Sequence, residues 1–266
     1  NVHVGKRKEI TTKIIHMKKT KLLTILASAA FALSANAASI GVNVGASGFD
    51  LTSSTSAGVV AQTNWNNLTG GSVAATAVND DSGTLLATTV QVQTQWSYTT
   101  GAGTSDGNHS LMHTALDNGG GEMGFVVTGI PYAVYDVIIY HEGGSDDGRG
   151  GPFFIRDTDG GNAIIASQVS YDTSTFSGTF VDASTVGDPA GSGITGGDTV
   201  VNSNYVRFNG LTLANIGIRS DAANPLGIPT DRAPIAGMQI IEVIPEPSTT
   251  ALLGLGGLAL IFRRRK

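Results

Sequence analysis

From Ser39 to Val243 the chain consists of short runs in which apolar and polar residues alternate, separated by glycine, proline, asparagine and aspartate. In "SIGVNVG" Ile40, Val42 and Val44 alternate with small or polar neighbours, the period of two expected of a half-buried strand. "TTVQVQTQWSY" carries the same pattern further. It predicts one strand with Val90, Val92, Thr94, Trp96 and Tyr98 on one face and Gln91, Gln93, Gln95 and Ser97 on the other. "GFVVTGIP" (Gly124–Pro131) and "YDVIIYHE" (Tyr135–Glu142) follow as two more. "PFFIRDTDGGNAIIAS" reads as a hairpin turning at residues 157–161. Further strands fall in "FSGTFVD", "NYVRFNGLTL", "NIGIRS" and "GMQIIEVI". Helical periodicity is weak, and "HSLMHTALDN" (His109–Asn118) is the best internal candidate. About ten strands at this spacing, with no internal repeat, predict an all-β fold, a single sandwich of the jelly-roll type over residues 38–243.

The pattern changes at both ends. Residues 17–37 read "MKKTKLLTILASAAFALSANA". Three lysines precede the apolar run Leu22–Leu33, and Ala35 and Ala37 flank a small-x-small cleavage site. This is the layout of a helical signal peptide cut after Ala37, with signal peptidase as the implied partner. Residues 1–16 precede Met17 and are expected to be an upstream extension outside the fold.

At the other end, residues 244–266 read "IPEPSTTALLGLGGLALIFRRRK". Pro245 and Pro247 fix their own φ and bias Ile244 and Glu246 toward extended backbone, which suits recognition by a processing enzyme. Ala251–Phe262 is an apolar run with three internal glycines. As a helix it is about 18 Å long, short of the roughly 30 Å hydrocarbon core of a membrane. Arg263, Arg264, Arg265 and Lys266 abut it and supply a stop-transfer signal held in the cytoplasm. Motif, short hydrophobic helix and terminal Arg cluster, in that order, resemble the PEP-CTERM sorting signal. The resemblance implies an exosortase-like membrane enzyme as partner and transient anchoring by the C-terminal helix. It further implies delivery to the surface or matrix of a Gram-negative bacterium that makes exopolysaccharide. Such proteins share the tail and not a fold.

Charge separates the ends from the body. Of 16 basic residues, seven lie before Ala38 and four are the last four. Between Ser39 and Phe262 five arginines face 20 acids, a net −15 with no lysine. A surface of that sign repels nucleic acid. The absence of cysteine excludes disulfides, thiol catalysis and Cys-based zinc sites.

No set of residues spells out a catalytic centre. His109 and His113 are four apart, so a helix places them on one face, but the glutamate of an H-E-x-x-H site is missing. His141-Glu142 joins a base to an acid with no nucleophile near it in sequence. Asp157 and Asp159 before Gly160 are weak calcium candidates, a possible structural Ca²⁺ without the full loop spacing. Asp146 and Asp147 form a second acidic loop. Trp65, Trp96 and Tyr98 are able to stack on sugar rings, and the face that Trp96 and Tyr98 share with Val90 and Val92 favours core packing for that pair. Trp65 is therefore the glycan-binding candidate. "NWNNL", "GIPYAVYDVIIYHEG" and "YVRFNGLT" leading to "GMQIIEV" resemble galactose-binding-like and carbohydrate-binding sandwiches, which implies a polysaccharide ligand. The expected protein is a secreted, non-enzymatic surface component without a cofactor, with polysaccharide as its candidate ligand. The alternatives are a glycan-directed hydrolase using acids between Asp146 and Asp159, and a purely structural matrix component.

Overall fold

Alternation in the first body strand has a partner on each side. Ile40, Val42 and Val44 point into one hydrophobic cluster, while Gly41 faces the opposite way, where Trp65 and Gln62 press so closely that a Cβ on Gly41 would come within 2.8 Å of the indole. The computed structural model describes residues 37–117, 119, 121–143, 149–172, 174–183, 203–221 and 232–244. The strands are β1 (Ser39–Gly45), β2 (Asn66–Thr69), β3 (Val73–Asn79), β4 (Leu85–Gln93), β5 (Trp96–Thr99), β6 (Thr114–Asp117) and β7 (Glu122–Thr128), with one short helix, α1 (Gly107–Met112), before β6. They continue with β8 (Tyr135–Tyr140), β9 (Arg149–Asp157), β10 (Ala163–Asp172), β11 (Tyr205–Leu211), β12 (Ile216–Asp221) and β13 (Gly237–Glu242).

Five strands form one sheet in the order β11-β8-β13-β1-β2, and six form the other in the order β10-β9-β12-β7-β4-β3. From β7 to β13 the chain alternates between sheets, interrupted only by the β9–β10 hairpin. That wrapping gives the jelly-roll-type sandwich expected from the strand spacing. The β1–β2 pair is parallel and every other ladder antiparallel.

The five-stranded sheet is covered on both faces. Tyr135, Val137 and Ile139 of β8 face the six-stranded sheet, against Val90, Phe125, Ile155 and Ile218. Ile138 and Tyr140 of the same strand face outward into a second cluster with Trp65, Leu111, Met112, Phe176 and Ile241. This outer cluster is roofed by residues 46–65, α1 and residues 174–183. Polar groups in it are paired: the Tyr140 hydroxyl donates to Gln239 Oε1 and accepts from Val59 N, and Gln239 Nε2 donates to Gln62 Oε1 at 2.8 Å.

Three elements differ from the sequence expectation. "TTVQVQTQWSY" is two strands: β4 ends at Gln93, and β5 belongs to a separate two-stranded ribbon with β6. Thr94 makes the break, its hydroxyl lying 2.8 Å from Asp117 O and 3.0 Å from Trp96 O. The helix expected over 109–118 is the shorter α1, capped by Asp106 accepting from His109 N; residues 114–117 pair with β5 instead. A short isolated helix is marginal, and the ladder supplies a better partner. "FSGTFVD" makes only one bridge, Asp182 to Tyr205, and contributes Phe176 and Phe180 to the outer cluster. No described helix is long and apolar enough to cross a membrane; the segment up to Asn36, expected to hold a signal peptide, and the tail from Pro245 lie outside the described residues.

Candidate functional site

The two ends of the sandwich are built differently. At one end four tight connections join the strands: 80–84, 129–134, 158–162 and 212–215. At the other, long-loop end lie the described residues 94–117 and the strand ends Tyr140, Arg149, Asp172, Tyr205 and Gly237, while residues 46–65 run from there across the outer face of the five-stranded sheet to the 80–84 turn, where Asn64 Nδ2 donates to Asp81 O at 2.8 Å. Ser39 pairs with Ile241, so β1 enters and β13 leaves at the tight-turn end. The residues that lead into Pro245 therefore depart opposite the long-loop end.

The β5–β6 ribbon stands at the long-loop end. Trp96 lies directly across from Asp117, on the same ribbon face as Tyr98. It is 57% exposed. Its benzo ring rests against Gly119, where a Cβ would come within 2.6 Å of Cζ3. Gly119 also has φ +64°, so glycine is required by backbone and ring alike. Asp117 is nearly buried and fully engaged, accepting from Gly119 N at 2.8 Å and pairing with Arg232 Nη1 at 2.7 Å. The Arg232 side chain is 45% exposed. Two residues along, Tyr98 is covered by the Arg149 guanidinium, 5.0 Å from the ring centroid, and its hydroxyl donates to Glu142 O. Burial pushes the Tyr98 phenol up to about 12 against the pull of Arg149, so it remains a donor at neutral pH.

Below this surface the fold builds a polar cluster that sequence spacing does not reveal. His141 is fully buried, and its Nε2 is hydrogen-bonded to Ser170 Oγ, which sits 2.7 Å from Ser203 Oγ. A hydroxyl thus does lie beside His141, brought from residues 29 and 62 positions further along the chain. The arrangement differs from an activated nucleophile in two respects. Both hydroxyls are buried, and His141 Nδ1 has no hydrogen-bond partner to orient the ring. Glu142 is turned aside and accepts from Phe176 N at 3.0 Å. Burial lowers the His141 pKa to about 3, and the ring is neutral across the physiological range. The only sequence signal for the cluster is a polar His-Glu pair ending an otherwise apolar run.

The other residues singled out from sequence are placed apart. Trp65, the glycan candidate, is corrected: it is 5% exposed, with its indole N–H donating to Gln62 O and its ring 6.3 Å from that of Tyr140. A ring enclosed in this way offers no face to a sugar. Trp96 and Tyr98, expected in the core, divide, because the chain leaves the sheet at Thr94 and turns the Trp96 ring outward. His109 and His113 do not converge: His109 Nδ1 is 3.0 Å from Asp106 Oδ2, while His113 Nδ1 accepts from Gly103 N and its ring packs on Phe49. Asp157 closes its own turn, accepting from Asp159 N and Gly160 N, and Asp159 accepts from Asn215 Nδ2. One oxygen of each is engaged at the tight-turn end, Asp157 Oδ1 by backbone donors and Asp159 Oδ2 by an amide. Asp146 and Asp147 lie outside the described residues. Among the described residues no three His, Asp or Glu side chains form a metal-binding group. Ala35, the Pro245-Glu246-Pro247 motif and the cluster Arg263, Arg264, Arg265 and Lys266 also lie outside the described residues, and Ala37 is the first residue described.

Directly after β13, residues 243–266 match the family model of the PEP-CTERM protein-sorting motif. The chain carries a PEP-CTERM tail. A PEP-CTERM signal implies export, processing by an exosortase at the membrane, and a surface or extracellular destination. The tail covers only this segment and leaves the sandwich unassigned. No curated protein and no solved structure matches the chain. The likeness of the body to carbohydrate-binding sandwiches therefore rests on its strand pattern alone.

Proposed function

We propose that the protein is a non-enzymatic surface or matrix component that binds polysaccharide through the long-loop end of its sandwich. The observation that carries this reading is the polarity of the body. The PEP-CTERM tail follows β13 at the tight-turn end, so an anchored molecule presents its long loops and Trp96 away from the membrane. An acidic surface of net −15 suits an extracellular role and disfavours polyanionic partners. Against the hydrolase alternative stand the engaged carboxylates of Asp157 and Asp159 and the burial of the His141–Ser170 pair.

The reading is tested on protein recovered from its producer. Mass spectrometry is expected to find an N-terminus at Ala38, left by signal peptidase, and a chain lacking residues 263–266. Retention on the producer's own exopolysaccharide is expected in the same preparation. An intact C-terminus in the surface fraction would remove the processing step, and a lack of retention would reduce the protein to a structural role.

A further inference from the structure

We propose that Trp96, with Arg232 beside it, forms a subsite for an uncharged pyranose unit of a polysaccharide; this rests on the polysaccharide-binding reading above. A large exposed aromatic is costly in water unless something covers it. Here the ring is held rather than loose. The Cζ3 edge of the ring abuts Gly119, whose missing Cβ admits it and whose φ is +64°. With that edge fixed Trp96 remains 57% exposed, so apolar surface is presented before any ligand arrives, and little ordering remains to be done on binding.

The surroundings select the ligand class. The other exposed large hydrophobic residues of the strands are far away: Leu85 opens β4 beside the 80–84 turn, and Ile164 and Ile165 follow the 158–162 turn, all at the opposite end. Among the described strand residues no other exposed large hydrophobic side chain lies at this end, so Trp96 has no contiguous apolar partner there of the kind a protein interface needs. The apolar face of a pyranose covers one indole without requiring more. The polar group alongside is a donor: Asp117 is nearly buried with both oxygens engaged, whereas Arg232 is fixed by Asp117 through Nη1 and its side chain is 45% exposed. Fixed donors suit the acceptor oxygens of sugar hydroxyls. The Arg232–Asp117 pair is neutral as a unit and the body carries −15, which disfavours an acidic sugar even with the Arg149 guanidinium over Tyr98 two residues along.

The test uses the full chain in affinity electrophoresis against a glucan, a galactan and a mannan, and against a polyuronate of similar length. Retardation by at least one uncharged polymer is expected. In Trp96→Ala the affinity falls about tenfold or more, in Trp96→Tyr most of it is kept, and Leu85→Ala at the opposite end binds as the parent does. Thermal midpoints of all variants within a few degrees of the parent show that the fold is intact. If Trp96→Ala binds like the parent, the subsite is wrong and the polysaccharide reading survives. If the polyuronate binds more tightly than every uncharged polymer, the ligand class is wrong. If the parent is retained by none of the four, subsite and reading fall together.

Discussion

His141 is a titratable group placed where protonation has no outlet. Its ring is enclosed by Phe153 at 5.2 Å, Ser170 and Ser203, and an Nε2–H donated to Ser170 leaves only the Nδ1 lone pair unmatched. An unmatched acceptor costs less than an unmatched N–H, so the fold selects the neutral ring. The sign of the pH effect follows. The folded pKa of about 3 lies below the ordinary value near 6.5, so the neutral form is preferred in the native state. Above about pH 6.5 neither state binds the proton and the contribution is constant. As pH falls from about 6.5 toward 3 the unfolded chain takes up a proton that the native chain refuses. Stability is then lost at up to about 1.4 kcal/mol per pH unit from this group. Urea midpoints measured between pH 7 and pH 4 should therefore fall less steeply in His141→Gln than in the parent. Equal slopes would mean that the ring is hydrated or paired in solution.

At the scale of elements, the "NWNNL" segment illustrates how much was legible. Its resemblance to a carbohydrate-binding cue suggested a ligand role, and its residues turn out to be fasteners. Asn66 in β2 donates to Gly41 O of β1 at 2.9 Å and to Asn79 O of β3 at 2.8 Å, and accepts from Asn79 N at 2.8 Å. One amide thereby ties an edge of the five-stranded sheet to an edge of the six-stranded one. Asn67 does the same for the loop, holding both backbone groups of Leu51. Asn66→Ala leaves buried backbone groups unpaired, and a loss of about 2–4 kcal/mol is expected in denaturant titration. A loss below about 1 kcal/mol would show that water replaces the amide. The strands themselves were readable where apolar residues alternate or run unbroken, as in β1, β7, β8, β12 and β13, although β1, β8 and β13 are buried on both faces. β3 was not, because "VAATAVN" is an exposed edge strand of small residues with no apolar stripe. The β4–β5 break was invisible for the converse reason. The period of two continues through Thr94, and only the pairing of Trp96 with Asp117 shows that the chain has changed sheets. The candidate site was hidden by the same error, since a continuous strand would have buried Trp96. His141, Ser170 and Ser203 meet only through long-range topology, and no spacing announces them.

For the whole molecule, the shared sheet decides how it unfolds. The inner and outer clusters are chemically separate, yet both are nailed to the same strands: β8, β11 and β13 each place side chains in both clusters. Removing either cluster exposes one face of a sheet that otherwise has none in water, so neither layer is stable alone. The roof segments 46–65 and 174–183 contain little regular structure of their own and depend on the sheet beneath them. One cooperative transition is therefore expected for the body. The two tryptophans make this measurable, because Trp65 lies in the outer cluster and Trp96 outside both. In Trp96→Phe the remaining fluorescence reports the roof, while far-UV circular dichroism reports the two sheets. The two denaturation curves should coincide, and Val127→Ala, which cuts into the inner cluster only, should shift both by the same amount. Fluorescence changing first, with circular dichroism unmoved, would mean that the roof opens by itself. The long-loop end carrying Trp96 would then be a separately unfolding layer rather than a platform fixed by the sandwich.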